Sequence, residues 1–212
     1  MNTEQIEFWQ GSFGKEYTDR NTFSVEQLDQ IYKEQYGVTR TEMNEQFVGQ
    51  LAECRTLEVG CNVGNILLHL QSIGFNDLYG VELQPYAVEK AKERTNHINV
   101  LQGSAFDLPF KDRYFPLVYT SGVLIHLSPD HIAMVMDEMY RVSNRYIWGF
   151  EYYSDHYEEI NYHGQSGKMW KSDFVSLFVS RYPDLQIVKE TKYKYVKNDN
   201  VDQMYLLEKR IE

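Results

Sequence analysis

The sequence predicts an α/β fold: a doubly wound, mostly parallel seven-stranded sheet, with a C-terminal antiparallel hairpin and an N-terminal helical cap. Three observations carry this. Short apolar runs alternate with segments of helical spacing from Leu57 to Phe150, which is the pattern of parallel strands joined by crossover helices. The stretch LEVGCNVGN, Leu57 to Asn65, runs from a buried strand into a glycine turn. Two extended runs, QIVKETKYKYV and QMYLLEKRI, flank the polar KNDNVD near the end and read as an antiparallel pair closing the sheet.

The elements follow in chain order. Ser24 and Gln27 form a capping box for a helix over 24–36 with apolar positions at Leu28, Ile31 and Tyr32, and Gly37 terminates it. Residues 41–53 read as a second helix. Leu57–Val59 is the first strand, Asn65–Ile73 a helix closed by Gly74, and Leu78–Leu83 the second strand. Pro85 suits the first turn of the helix at 85–95. Ile98–Leu101 and Leu117–Thr120 are strands, and Ser128 with Pro129 opens a helix through Ser143. Tyr146–Phe150 is the fifth strand, and Ser172 caps a helix over 173–181. The whole reads as one structural domain, with residues 1–53 an arm and helices capping a cofactor site and 54–212 the core.

Composition narrows the partners. The chain has 21 basic and 31 acidic residues, a net charge of −10, which speaks against nucleic acid because phosphate binding needs a basic face. Cys54 and Cys61 are the only cysteines and suit a reducing, cytoplasmic setting. No apolar run approaches a membrane span, and MNTEQIEFWQGSFG lacks a signal-peptide layout. The six histidines and the carboxylates show no metal-ligand spacing, so no metal is expected. Aromatic residues make up 15%, including 17 tyrosines crowded at both ends and in 146–162, where polar-tipped rings line a ligand cavity or dress edge strands.

In a doubly wound sheet, ligands sit at the carboxyl ends of the strands, near the point where strand order reverses. Gly60 lets backbone approach a ligand there, and Gly64 lets the following helix pack closely. Asn62 stands where a diphosphate-binding loop wants glycine, which favours a smaller zwitterion: a carboxylate at the helix N-terminus and an ammonium on turn carbonyls or Glu58. Glu82 ends the second strand about 20 residues past the loop, placed to take both ribose hydroxyls.

With LEVGCNVG and YGVEL, the segment LQGSAFDLPFKDRYFPLVYTSGVLIHL (101–127) resembles class I S-adenosylmethionine-dependent methyltransferases, a Rossmann-like fold. The resemblance covers Leu57 to Phe150 and the terminal hairpin. It implies that Glu58, Gly60, Cys61, Asn62 and Gly64 hold the methionine moiety, Glu82 and Leu83 the ribose, and Ser104, Ala105 and Phe106 the adenine, with Ser121 also at the cofactor. This chain departs from the family at Asn62, where glycine is commonest, and at Ser104, where Asp is frequent; Asp107 is the rival adenine ligand. FWQGSFGKEYTDRN (8–21), TSGVLIHLSPD (120–130) and MWKSDF (169–174) resemble the small bacterial methyltransferases found with pseudaminic-acid and surface-glycan biosynthesis.

The remaining candidates lie at the acceptor side. Residues 8–21 are too polar for a simple core helix and read as a lid over the cofactor, with Tyr17 or Arg20 reaching its carboxylate and Trp9 toward the acceptor. His126 follows the fourth strand as candidate general base. Glu151 and Tyr152 sit at the same rim, with His163 and Lys171 available to an anionic acceptor. The expectation is therefore S-adenosylmethionine-dependent transfer, leaving S-adenosylhomocysteine, to a small acceptor such as an anionic sugar, nucleotide-sugar or related surface-glycan precursor, by O-methylation. The rival readings are N-methylation of a small amine or protein side chain, and a noncatalytic regulator that binds the cofactor. A monomer or homodimer is expected.

Overall fold

The computed structural model describes residues 3–162 and 164–210. Its strands are β1 (Thr56–Val59), β2 (Leu78–Glu82), β3 (Ile98–Gln102), β4 (Phe115–Ser121), β5 (Ser143–Tyr152), the short β6 (Glu158–Glu159) and β7 (Trp170–Lys171), β8 (Leu185–Lys194) and β9 (Val201–Lys209). The helices are α1 (Glu4–Gln10), α2 (Ser12–Arg20), α3 (Val25–Tyr36), α4 (Arg40–Val48), α5 (Asn65–Ser72), α6 (Pro85–Arg94), α7 (Ile132–Val142) and α8 (Phe174–Arg181). The seven-stranded sheet runs β3-β2-β1-β4-β5-β9-β8, parallel from β3 through β5, with β9 antiparallel to both its neighbours. Strand order reverses between β1 and β4, which places the switch point at the end of β1.

β1 is buried at all four positions, as expected of an unalternating run covered on both faces. Further along the sheet, successive side chains alternate between two cores. Val118, Ile147, Tyr205 and Leu207 pack with Val135 and Met139 of α7 and Phe174 and Phe178 of α8. Their neighbours Leu117, Tyr119, Trp148, Met204 and Leu206 pack with Phe47 of α4, Leu67 and Leu70 of α5 and Val88 of α6. The result is a three-layer sandwich with the strand ends left for the site.

The terminal hairpin forms, but its second strand lies inside. β9 is buried from Asp202 to Leu207, whereas β8 alternates exposed Lys and Glu with half-buried positions. The apolar strand therefore sits against β5, and the charged one guards the edge against strand addition.

Three helix starts differ from expectation. The segment 41–53 is α4, capped by the Thr39–Glu42 box, followed by a 3-10 turn at Gly49–Leu51. Ser128 does not cap α7: its hydroxyl lies 3.0 Å from His131 Nδ1, and the chain makes a turn before the helix begins at Ile132. Asp173, not Ser172, caps α8, accepting from the Ser176 N–H at 3.1 Å. The carboxylate is the better acceptor, and it also meets the Ser176 hydroxyl at 2.8 Å. The Ser24–Gln27 box, Gly37 in the left-handed region and Pro85 at the first turn of α6 are as read.

Candidate active site

The turn after β1 explains its own sequence. Gly60 has φ +75°, and a Cβ there would stand 2.7 Å from Val123 Cγ2, so this loop and the turn after β4 touch. Asn62 has φ +45°, the left-handed region that Asn tolerates better than most residues. Its side chain then does what glycine could not. The amide oxygen accepts the Val63 N–H at 2.8 Å, and Nδ2 donates to the buried Thr18 hydroxyl of α2 at 3.2 Å. Gly64, φ +77°, brings the start of α5 against Thr95.

Glu82 closes the loop from the other side. One carboxylate oxygen accepts the Asn62 N–H and the other the Gln84 N–H, both at 2.8 Å. Each oxygen keeps acceptor capacity, because a carboxylate has about four lone-pair sites. Burial raises the Glu82 carboxyl against these backbone donors. Glu58 is also buried; it takes the Tyr119 hydroxyl at 2.9 Å, and desolvation pushes its carboxyl up to about 8.

A cavity of about 710 Å³ spans the strand ends from β2 to β9. Tyr17, Arg20, Glu58, Gly60, Cys61 and Asn62 line it, as do Glu82, Leu83, Ala105, Phe106 and Ser121. Trp9, His126 and Tyr152 line its other side. Gly64 and Ser104 stand behind the wall; Ser104 Oγ accepts the Phe106 N–H at 3.2 Å, shaping the turn that presents Phe106. Glu151 is turned beneath the turn after β4, where it accepts the Val123 and Ile125 N–H groups at 3.2 and 3.4 Å. Lys171 bonds Asn200 at 2.7 Å outside the cavity, and His163 lies outside the described residues.

Residues 8–21 run from the last turn of α1 through α2, and Trp9, Tyr17 and Arg20 among them line the cavity. Gln84 Nε2 faces the Trp9, Gln10 and Gly11 carbonyls at 3.2, 2.8 and 3.1 Å, and Asn65 Nδ2 donates to the Asn21 carbonyl at 2.7 Å. The Trp9 ring meets Tyr17 edge-on at 5.2 Å and His126 at 4.6 Å. His126 is buried, with Nδ1 2.9 Å from the Lys168 carbonyl. A carbonyl only accepts, so Nδ1 carries the proton and Nε2 is the open lone pair. Desolvation pulls this imidazole down to about 4.

Sequence reasoning missed the far wall. Tyr32 and Tyr36 of α3, Tyr195 after β8 and Asp202 of β9 all line the cavity. The crowding of tyrosines at both chain ends was the available signal; only the fold brings those ends together.

Residues 57–145 match the family model described as a methyltransferase domain. Over that span the chain is similar to methyltransferase domains. It is 30% identical over 88 residues to an uncharacterized methyltransferase of Synechocystis sp., covering 42% of this chain and 41% of the relative. It is 33% identical over 106 residues to an uncharacterized methyltransferase of Schizosaccharomyces pombe, covering 42% and 36%. The match thus spans about two fifths of the length of these curated relatives. Among solved structures, the 1,6-didemethyltoxoflavin-N1-methyltransferase of Burkholderia thailandensis, bound to its namesake and S-adenosylhomocysteine, superposes with a TM-score of 0.72, covering 100% of this chain and 92% of that one at 13% identity. The [4+2]-cyclase SpnF gives 0.63 at 13% identity, over 89% and 97%. At such identities the likeness is one of fold, and the cyclase shows that this fold is not confined to one chemistry. Among the described residues no helix is long and apolar enough to cross a membrane.

Proposed function

We propose that the chain transfers a methyl group from S-adenosylmethionine to a small acceptor, by O-methylation of a sugar, nucleotide-sugar or related surface-glycan precursor. The observation that carries the reading is the Glu82 carboxylate, tied to the glycine loop yet retaining acceptor sites at the cavity wall. In this reading Glu82 holds the ribose hydroxyls, Glu58 and the loop face the methionine end with Tyr17 and Arg20, and Ala105 and Phe106 flank the adenine. The bound cofactor supplies an electrophilic methyl on a sulfonium, whose departure as a thioether needs no acid. What remains for the protein is alignment, exclusion of water and disposal of one proton from a hydroxyl acceptor. His126 is the base, its Nε2 lone pair present at any pH well above 4. The docked α1–α2 arm is the cover, and it opens to exchange ligands.

Of the lining side chains, Glu58, Glu82 and Asp202 are acidic and Arg20 alone is Lys or Arg. Asp202, away from the groups assigned to the cofactor, gives N-methylation of an amine standing as the second reading.

The test is a thermal-shift comparison followed by a screen of small molecules for transfer of a labelled methyl group. Ligand at a hundredfold excess over Kd should stabilise by about 2.7 kcal/mol. A larger shift with NAD than with S-adenosylhomocysteine overturns the reading, and binding without any turnover leaves a regulator.

A further inference from the structure

The far end of the cavity carries groups that cofactor binding does not use. Asp202 pairs in register with Tyr152, at the carboxyl end of β5. Glu82 stands four strands away on β2, a separation of roughly 19 Å at about 4.8 Å per strand. Asp202 is buried, and its two oxygens differ. Oδ2 accepts the Tyr36 hydroxyl in a short bond and the Tyr195 hydroxyl at 3.1 Å. Oδ1 has no partner. A buried carboxylate oxygen left in this state is costly unless a ligand or cation compensates it.

The rings tied to it form a wall. Tyr36 packs edge-on to Tyr195 at 5.1 Å and to Phe150 at 5.9 Å, while Tyr32 lies 5.2 Å from Tyr36. Tyr152 completes the lining. The fully buried Arg40 guanidinium already stacks behind Phe150 and Tyr32, 4.7 and 5.3 Å from their centroids. Those two rings are therefore engaged by a cation, and the unspent negative potential lies on the Tyr36, Tyr152, Tyr195 and Asp202 side. Phenols donating to a carboxylate have more electron-rich rings, which favours a cation against their faces.

We propose that Tyr36, Tyr152, Tyr195 and Asp202 form a cage for an ammonium or alkylammonium group of the methyl acceptor. This rests on the methyltransferase reading for what the bound molecule does, but not for whether it binds. The wall is specific to charge and size: a neutral branched alkyl group of the same shape gains the contact area without the attraction to the rings and to Asp202.

Choline and 3,3-dimethylbutan-1-ol test this, since they differ only in a nitrogen cation replacing a carbon. Saturation-transfer NMR with the full chain, with and without S-adenosylhomocysteine, should show choline binding about tenfold more tightly than the alcohol. Asp202→Asn should weaken choline about tenfold while leaving the alcohol unchanged, Tyr195→Leu should weaken choline more than the alcohol, and both variants should bind S-adenosylhomocysteine as the wild type does, which also shows that they fold. Equal binding of the two probes, no choline binding in either state, or choline binding indifferent to both variants overturns the cage. Choline binding to a chain that ignores S-adenosylhomocysteine leaves the cage standing and sinks the methyltransferase reading.

Discussion

The Asn62 side chain and backbone face opposite ways: Nδ2 donates to Thr18 of the arm at 3.2 Å, and the N–H donates to Glu82 at 2.8 Å. One residue thus joins Glu82, the glycine loop and the N-terminal arm.

Glu82→Gln keeps the shape but removes the charge and turns an N–H-bearing amide toward Asn62 or Gln84. S-adenosylhomocysteine affinity should fall by about 1.5–3 kcal/mol, the range for charge-assisted bonds, measured by calorimetry. Unchanged affinity moves the ribose contact elsewhere.

Gly14→Ala addresses the arm without touching the cavity wall. A Cβ there would stand 1.9 Å from the Trp9 carbonyl oxygen, so α1 must shift off α2. Overpacking of this kind costs about 1–3 kcal/mol. The wild-type arm should be protected from proteolysis by S-adenosylhomocysteine; the variant should show faster proteolysis within residues 3–21, no such protection, and weakened cofactor binding over an intact core. Wild-type protection in the variant makes the arm merely structural.

His126→Ala should lower the rate for a hydroxyl acceptor by about a hundredfold or more, while cofactor affinity stays within error. Because burial holds this imidazole near 4, no histidine limb should appear in the rate profile between pH 5.5 and 8. An acidic limb near 6.5 would place the base elsewhere.

Stability should fall as pH rises from about 6.5 to 8. Burial raises the carboxyls of Glu58 to about 8 and of Glu151 and Asp202 to about 7. Each binds its proton more tightly folded than unfolded, so folding takes up protons between the two values and stability is lost on going up through them. His69 and His126, both held near 4, act oppositely, but only below about 6.5, where unfolded histidines charge. Lys209, lowered to about 8, adds stability only above that pH. Melting temperatures across this window check the slope, and Glu58→Gln should flatten it.

Asp173→Ala should cost about 1 kcal/mol through the α8 cap, and Ser172→Ala distinctly less, by urea denaturation. Equal costs would return the cap to Ser172.

The sheet was legible because its signals are local and redundant. Alternating runs, Gly60, Gly64 and Pro85 each demand one local geometry, and the Leu57–Phe150 core followed from them. The helix starts at 128 and 172 were misread because Ser, Asp and His compete for the same cap within three residues, and carboxylate strength or a ring contact decides. The side of the cavity at β1 to β3 was readable from strand ends, which sequence order gives directly. The far side was not. Asp202 and Tyr195 meet Tyr36 across some 160 residues of chain, and nothing short of the insertion of β9 beside β5 brings them together.

Gln84 grips the arm two residues beyond Glu82, and the same arm presents Trp9 to His126. The arm therefore rests on the segment after β2 at one end and on His126 at the other. An acceptor arriving at an open site would find the Trp9 side of the cavity missing. With the proposed function, the expected kinetic order is compulsory: donor on first, acceptor second, methylated product away, and the demethylated donor last. Inhibition by S-adenosylhomocysteine should accordingly be competitive against donor and noncompetitive against acceptor.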